Sequence, residues 1–155
     1  NQVSQLYDDS FNDDETKEIS CPEVKFIEGL DRLKIKNGGK NVYQLSFYEI
    51  KWTCYTSLSL INTIMDNIDL STSFVVDYNE NINNFKEEQF SFIVVLLNEE
   101  NQIITKEKFN RTFISQSSSE IISNNGGIIN IKINNGGDKL YNYRLLLGFT
   151  KNNIN

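Results

Sequence analysis

Apolar and polar positions alternate with a period of two through most of the chain after residue 20, and sustained helical spacing is almost absent. A first short strand is expected at Glu23–Ile27, with Val24 and Phe26 as its apolar positions. Residues 29–36 are mixed, and the spacing of Leu30, Leu33 and Lys34 suits a helical turn. Asn37-Gly38-Gly39 reads as a turn, because Asn and Gly accept positive φ cheaply. A long strand follows over Val42–Tyr55. Tyr43, Leu45 and Phe47 share one face of it, after which the apolar parity passes to Tyr48, Ile50, Trp52 and Cys54. A one-residue slip of phase predicts a β-bulge near Phe47–Tyr48. Residues 58–65 read as a short helical turn or an irregular crossover.

Ile68–Tyr78 alternates cleanly, with Ile68, Leu70, Phe74, Val76 and Tyr78 facing in and Asp69, Ser71, Ser73 and Asp77 facing out. Gln89–Leu97 is apolar on both faces, as a central covered strand would be. A hairpin loop at Asn98–Asn101 leads to Ile103–Lys106 and onward to Phe109–Ser115. The Ser-rich stretch Ser115–Ser123 is expected to be a mobile loop. Asn-Asn-Gly-Gly brackets Ile128–Ile133 on both sides, which marks a strand between two turns. Tyr141–Thr150 completes the set. About seven strands predict an all-β fold, a two-sheet antiparallel β-sandwich of immunoglobulin or fibronectin type.

Charge divides the chain in two. Residues 1–20 hold Asp8, Asp9, Asp13, Asp14, Glu15 and Glu18 against Lys17 alone, so most of the net charge of −6 lies there. We expect an acidic flexible tether over 1–20, the sandwich over 21–150 and a short tail over 151–155. A near-neutral body without a dense Lys/Arg face argues against nucleic-acid binding. No apolar run approaches the roughly 20 residues that span a bilayer. Residues 1–20 have no signal-peptide apolar core and the chain opens at Asn1, so a further segment is expected upstream.

The two cysteines bear on compartment. Cys21 opens the first expected strand and Cys54 closes the second, so antiparallel pairing of those strands would bring the sulfurs within bridging reach. A disulfide implies an oxidising compartment. The alternative is two unpaired thiols, with Cys54 simply buried near Trp52. A zinc site lacks ligands, because the chain has no histidine.

Cys21-Pro22-Glu23-Val24, the Cys54-Tyr55 pair, Asn101–Phe109 and Tyr143-Arg144-Leu145-Leu146-Leu147-Gly148-Phe149 together resemble a family of small, uncharacterised alphaproteobacterial lipoproteins. In that family a lipobox cysteine precedes a short linker, a Cys-Pro-x-Val strand start and a closing Val/Leu-Gly-Phe strand. The resemblance implies lipid anchoring upstream of Asn1, periplasmic or cell-surface exposure and a Cys21–Cys54 bridge. It brings no catalytic residues.

Without histidine no Ser-His-Asp or Cys-His arrangement is possible. The Gly-Gly pairs lack the lysine and spacing of a phosphate-binding loop. The Asp8-Asp9 and Asp13-Asp14 pairs lack a calcium-loop frame. Glu87-Glu88 and Glu99-Glu100 read as surface loop acids rather than a glycosidase pair, and Asn110-Arg111-Thr112 as a chance glycosylation sequon. No enzyme activity, metal or cofactor is expected.

The leading expectation is a non-catalytic envelope lipoprotein ectodomain serving as a binding or scaffold module. Its partner would be an envelope protein, and its only membrane contact the lipid anchor. Contact loops are expected around Asn79, Asn83 and Lys86 and around Ser117, Ser118 and Asn124, chosen for length and polarity. Two alternatives stand beside it: an accessory lipoprotein of a secretion or trafficking complex, and a carbohydrate-binding sandwich or weak glycoside hydrolase. The last requires exposed, coplanar rings, for which Tyr43, Tyr48, Trp52 and Tyr55 are the candidates, though their alternation favours burial.

Overall fold

The computed structural model of the chain describes residues 16–37, 40–58, 61–78, 87–114, 119–123, 126–134 and 139–150. Among them ten strands occur: β1 (Thr16–Glu18), β2 (Glu23–Phe26), β3 (Arg32–Asn37), β4 (Lys40–Leu58), β5 (Ile64–Tyr78), β6 (Glu87–Leu97), β7 (Ile103–Ile114), β8 (Glu120–Ser123), β9 (Ile129–Ile133) and β10 (Arg144–Thr150). A single 3-10 turn over Leu140–Asn142 precedes β10. The architecture is the expected all-β sandwich, with ten strands in place of seven.

A six-stranded sheet is built on the long β4–β5 hairpin. β3 and β1 share the far edge of β4, and β8 and β9 share the far edge of β5. The second sheet has four strands in the order β2-β10-β6-β7. Every pairing is antiparallel except β2 with β10, which is parallel. Purely antiparallel sheets are therefore corrected to one antiparallel and one mixed sheet. Side-chain alternation determines which face a strand buries, but it carries no information on which neighbour the strand takes.

The long alternating runs fold as read. On β5, Ile68, Leu70, Phe74 and Val76 are buried, opposite Cys54, Trp52, Phe47 and Leu45 of β4 in turn. The β4–β5 register slips between Phe47 and Glu49, which leaves Tyr48 as the extra residue of the expected bulge. From the small sheet, Phe90, Phe92, Val94 and Leu96 of β6 and Leu145, Leu147 and Phe149 of β10 close the core. Phe47 stacks on Phe149 across the two layers with ring centroids 4.4 Å apart.

The departures have local causes. Residues 29–36 are not helical: Gly29, at φ +81°, ends a turn, and β3 then lays Leu33 opposite Leu45 and Ile35 opposite Tyr43. The spacing of Leu30 and Leu33 imitated a helix by accident, since only Leu33 enters the sheet. β4 runs on to Leu58 and β5 starts at Ile64, so the 58–65 crossover is a hairpin connection. The Ser-rich stretch conceals β8, which pairs Ile122 with Phe74 and buries it. Thr16–Glu18 pairs with Tyr55–Ser57, so the folded unit begins inside the segment assigned to the tether. The last strand starts at Arg144, because Leu140–Asn142 forms the 3-10 turn that buries Leu140.

Gly148 shows how the β2 edge is finished. After β2 the chain makes a turn in which the Leu30 N–H donates to Ile27 O, while the Phe149 N–H donates to Leu30 O. This turn crosses Gly148 so closely that a Cβ there would lie 2.9 Å from Leu30 Cβ and 3.1 Å from Ile27 Cδ1. Only glycine admits that approach.

Candidate functional site

The expected disulfide is present: Cys21 and Cys54 are bonded, with their Cα atoms 5.3 Å apart. The geometry behind it differs from the expectation. β2 lies in the four-stranded sheet and pairs with β10, not with β4. Cys21 reaches Cys54 because β1 runs beside the end of β4, and the ladder continues through the Ile19 N–H to Cys54 O at 3.0 Å. The chain then leaves the large sheet for the small one, and the bridge closes the seam where it crosses.

Beside this seam the sandwich opens into a cleft of about 680 Å³. Ile19, Ile64, Leu140 and Tyr141 give it apolar walls, and Asp66 and Lys139 add charge. Asp66 lies on the inward face of β5, two residues before Ile68, and is 9% exposed. A carboxylate in an apolar cleft accepts hydrogen bonds from a hydroxyl or ammonium group, and its burial makes each bond count. The volume lies within the usual range for ligand sites. Among the described residues Asp66 is the one acidic side chain lining the cleft, whereas glycoside hydrolysis needs two. Asp66 lies just before the alternating run Ile68–Tyr78. The signal was available, as an acid at the inward parity of an alternating run.

The outer face of the large sheet is polar and internally bonded. Asn67, fully buried there, donates from Nδ2 to Ser57 Oγ at 2.7 Å. Asn130 Nδ2 donates to Asp69 Oδ1 at 2.8 Å and, more weakly, to Asn67 Oδ1 at 3.4 Å. Partial burial, and then the Asp69 carboxylate, hold the Tyr55 hydroxyl above its ordinary pKa. A shallow groove of about 270 Å³ lies farther along this face, between Tyr48, Lys51 and Ser123. These groups mainly satisfy one another.

The candidate sugar-stacking rings do not form a platform. Trp52, opposite Leu70, shares the inward face at the sheet rim and is 37% exposed. Tyr55, opposite Asn67, takes the outer face, Tyr48 projects from the bulge, and Tyr43 is buried. Burial, expected for the set, holds for Tyr43 alone, because the bulge ejects Tyr48 and β4 has no described neighbour beside Trp52.

The Tyr43 hydroxyl has no hydrogen-bond partner among the described residues. Burial raises its pKa far above the ordinary value of 10.0, and the neighbouring Glu88 carboxylate adds to the rise. The folded state therefore resists losing this proton, while the unfolded chain loses it near the ordinary value. The stability Tyr43 contributes is complete below that value and lost as pH climbs past it. Tyr43→Phe should be within about 1 kcal/mol of wild type at neutral pH. It should also flatten the alkaline fall in stability followed by urea denaturation at several pH values; an unchanged alkaline profile would assign that fall to other groups.

The expected contact residues Asn79, Asn83, Lys86, Ser117, Ser118 and Asn124 all lie outside the described residues. Glu87 and Glu88 are not loop acids; they open β6, on opposite faces of the strand. Glu99 and Glu100 do occupy the β6–β7 turn, where the Glu100 N–H donates to Asn98 Oδ1. Asn110 of the sequon accepts from the Ser91 hydroxyl at 2.6 Å. Among the described residues no group of three His, Cys, Asp or Glu side chains is placed to hold a metal ion. Compared with known proteins, the chain matches no family model, no curated protein and no solved structure.

Proposed function

We propose that this chain is the non-catalytic ectodomain of a cell-envelope lipoprotein, a binding module held at the membrane by a lipid upstream of Asn1. The observation that carries this reading is the Cys21–Cys54 bridge at the seam between the sheets. Such a bond persists in oxidising compartments and is rare in the cytosol. The likeness of the Cys-Pro-Glu-Val start and the Leu-Gly-Phe strand to envelope lipoproteins supports the same placement. A chain without histidine also lacks the commonest general base.

The seat for the partner, an envelope protein, is the cleft beside the bridge, where Asp66 and Lys139 set charge among the apolar walls of Ile19, Ile64, Leu140 and Tyr141. Two measurements test the reading on the full chain in its native cell. Thiol trapping with a membrane-impermeant alkylating reagent, joined to fractionation, should find the cysteines oxidised and the chain in the envelope. Reduced cysteines in a cytosolic fraction would overturn the proposal. Affinity recovery from the native envelope should then retain a specific partner that Asp66→Asn and Tyr141→Ala lose; equal recovery by both variants would remove the cleft as the seat.

A further inference from the structure

We infer that two copies of this chain associate through β7, edge to edge and antiparallel, about a two-fold axis at Phe109. β7 is the edge strand of the four-stranded sheet, and no described strand pairs with its far side. Over its length, Ile103–Ile114, it presents a row of backbone donors and acceptors. Such an edge is usually protected by shortness, by proline or by inward charge. β7 is long and contains no proline, and its two inward charges, Glu107 and Arg111, are opposite in sign, so that one register pairs them instead of setting like charges together.

A two-fold axis normal to the sheet keeps the inward faces of both copies on one side. Each possible centre is therefore a residue of β7, with its neighbours paired symmetrically about it. Centred on Glu107, Lys106 of each copy faces Lys108 of the other. Centred on Lys108, that lysine faces itself. Centred on Asn110, Lys106 meets Ile114 and Glu107 meets Phe113, so charge opposes apolar surface. Centred on Arg111, two guanidinium groups meet.

Centred on Phe109, every pair is compatible. Glu107 of one copy faces Arg111 of the other, twice. At each end the bulge of β7, where its register with β6 slips past Ile104, brings Ile104, 40% exposed, beside Ile114 of the other copy, 51% exposed. Lys108 faces Asn110, Lys106 faces Thr112 and Thr105 faces Phe113. Opposite-charge and apolar cross-strand pairs stabilise a sheet, and like charges placed opposite each other destabilise it. The Arg111 guanidinium lies on the inward side of this edge, 5.4 Å from the Phe92 ring centre and 5.7 Å from that of Phe109, with Gly126 of the opposite layer against it. It donates from Nη1 to Asn110 O, which further limits its freedom. Two exposed isoleucines at the ends and one charge pair on each side of the axis thus make β7 self-complementary in a single register. Pairing joins the two small sheets into one continuous sheet and gives each β7 a neighbour on its far side.

The test is the association state of the full chain, by sedimentation equilibrium across a concentration series. Wild type should dimerise, and Glu107→Arg should weaken the dimer by about tenfold or more, because each attractive pair becomes repulsive. The double reversal Glu107→Arg/Arg111→Glu should recover most of the loss. Arg111 packs on core rings, so a second pair of variants guards against misfolding. Ile104→Cys/Ile114→Cys, both at exposed outward positions, should form a covalent dimer under mild oxidation, whereas either single cysteine should not. A monomer at all concentrations, a dimer indifferent to Glu107→Arg, or single-cysteine crosslinking equal to that of the double variant would each overturn the inference.

Discussion

Replacing both bridging cysteines, Cys21→Ala with Cys54→Ala, should lower the stability of the fold by about 3–4 kcal/mol. The bond spans 33 residues, and the chain-entropy model gives a loop of that length about this cost in the unfolded state. For a domain of this size the loss corresponds to roughly 10 °C in Tm. The native contacts near the bridge are too few to make up the difference. β1 has three residues, all exposed, and β2 has four with only Val24 partly covered. The bond is therefore what holds the crossing segment against both sheets. Urea denaturation of the double variant should match that of reduced wild type. A loss below about 1 kcal/mol would show that the unfolded chain is already compact enough for the bridge to constrain little.

That bridge also illustrates what the sequence holds and what it does not. The pairing of Cys21 with Cys54 was legible, yet the strand geometry inferred for it was not the one that forms. Periodicity assigns faces, so Ile68, Leu70, Phe74 and Val76 were legible as core. The bulge at Tyr48 was legible for the same reason, as a break in phase. Neighbour choice is a property of the assembled sheet, and so the parallel β2–β10 pair left no local trace. β1 was illegible because Thr16, Lys17 and Glu18 bury nothing and show no alternation. The cleft was hidden for a related reason. Its walls come from Ile19, Thr56, Ile64, Asp66 and Leu140, which only the fold brings together.

The second large effect is expected at Phe74, where Phe74→Ala should cost about 3–5 kcal/mol. Its ring is fully buried at the middle of β5 and meets rings from both layers. Phe47 on the neighbouring strand lies 5.3 Å away, and across the core Phe90, Phe92 and Phe149 lie at 4.9, 5.3 and 5.8 Å. Removing it leaves a cavity whose walls belong to two sheets tied by hydrogen-bonded ladders, which limits collapse into the space. Phe26 provides the control within the same cluster. It stacks on Phe47 at 4.9 Å but is 45% exposed, so Phe26→Ala gives up a ring contact and part of an area term, about 1–2 kcal/mol. Phe74→Leu should fall between the two, since most of the volume is retained. Combining Phe74→Ala with loss of the bridge removes most of the 5–15 kcal/mol that folded domains possess, and the combined variant should be largely unfolded at 25 °C by near-ultraviolet circular dichroism. Denaturation midpoints of the single variants check the ranking. Equal losses for Phe74→Ala and Phe26→Ala would mean that the two layers close around the missing ring, and the core would then be held by its aliphatic positions instead.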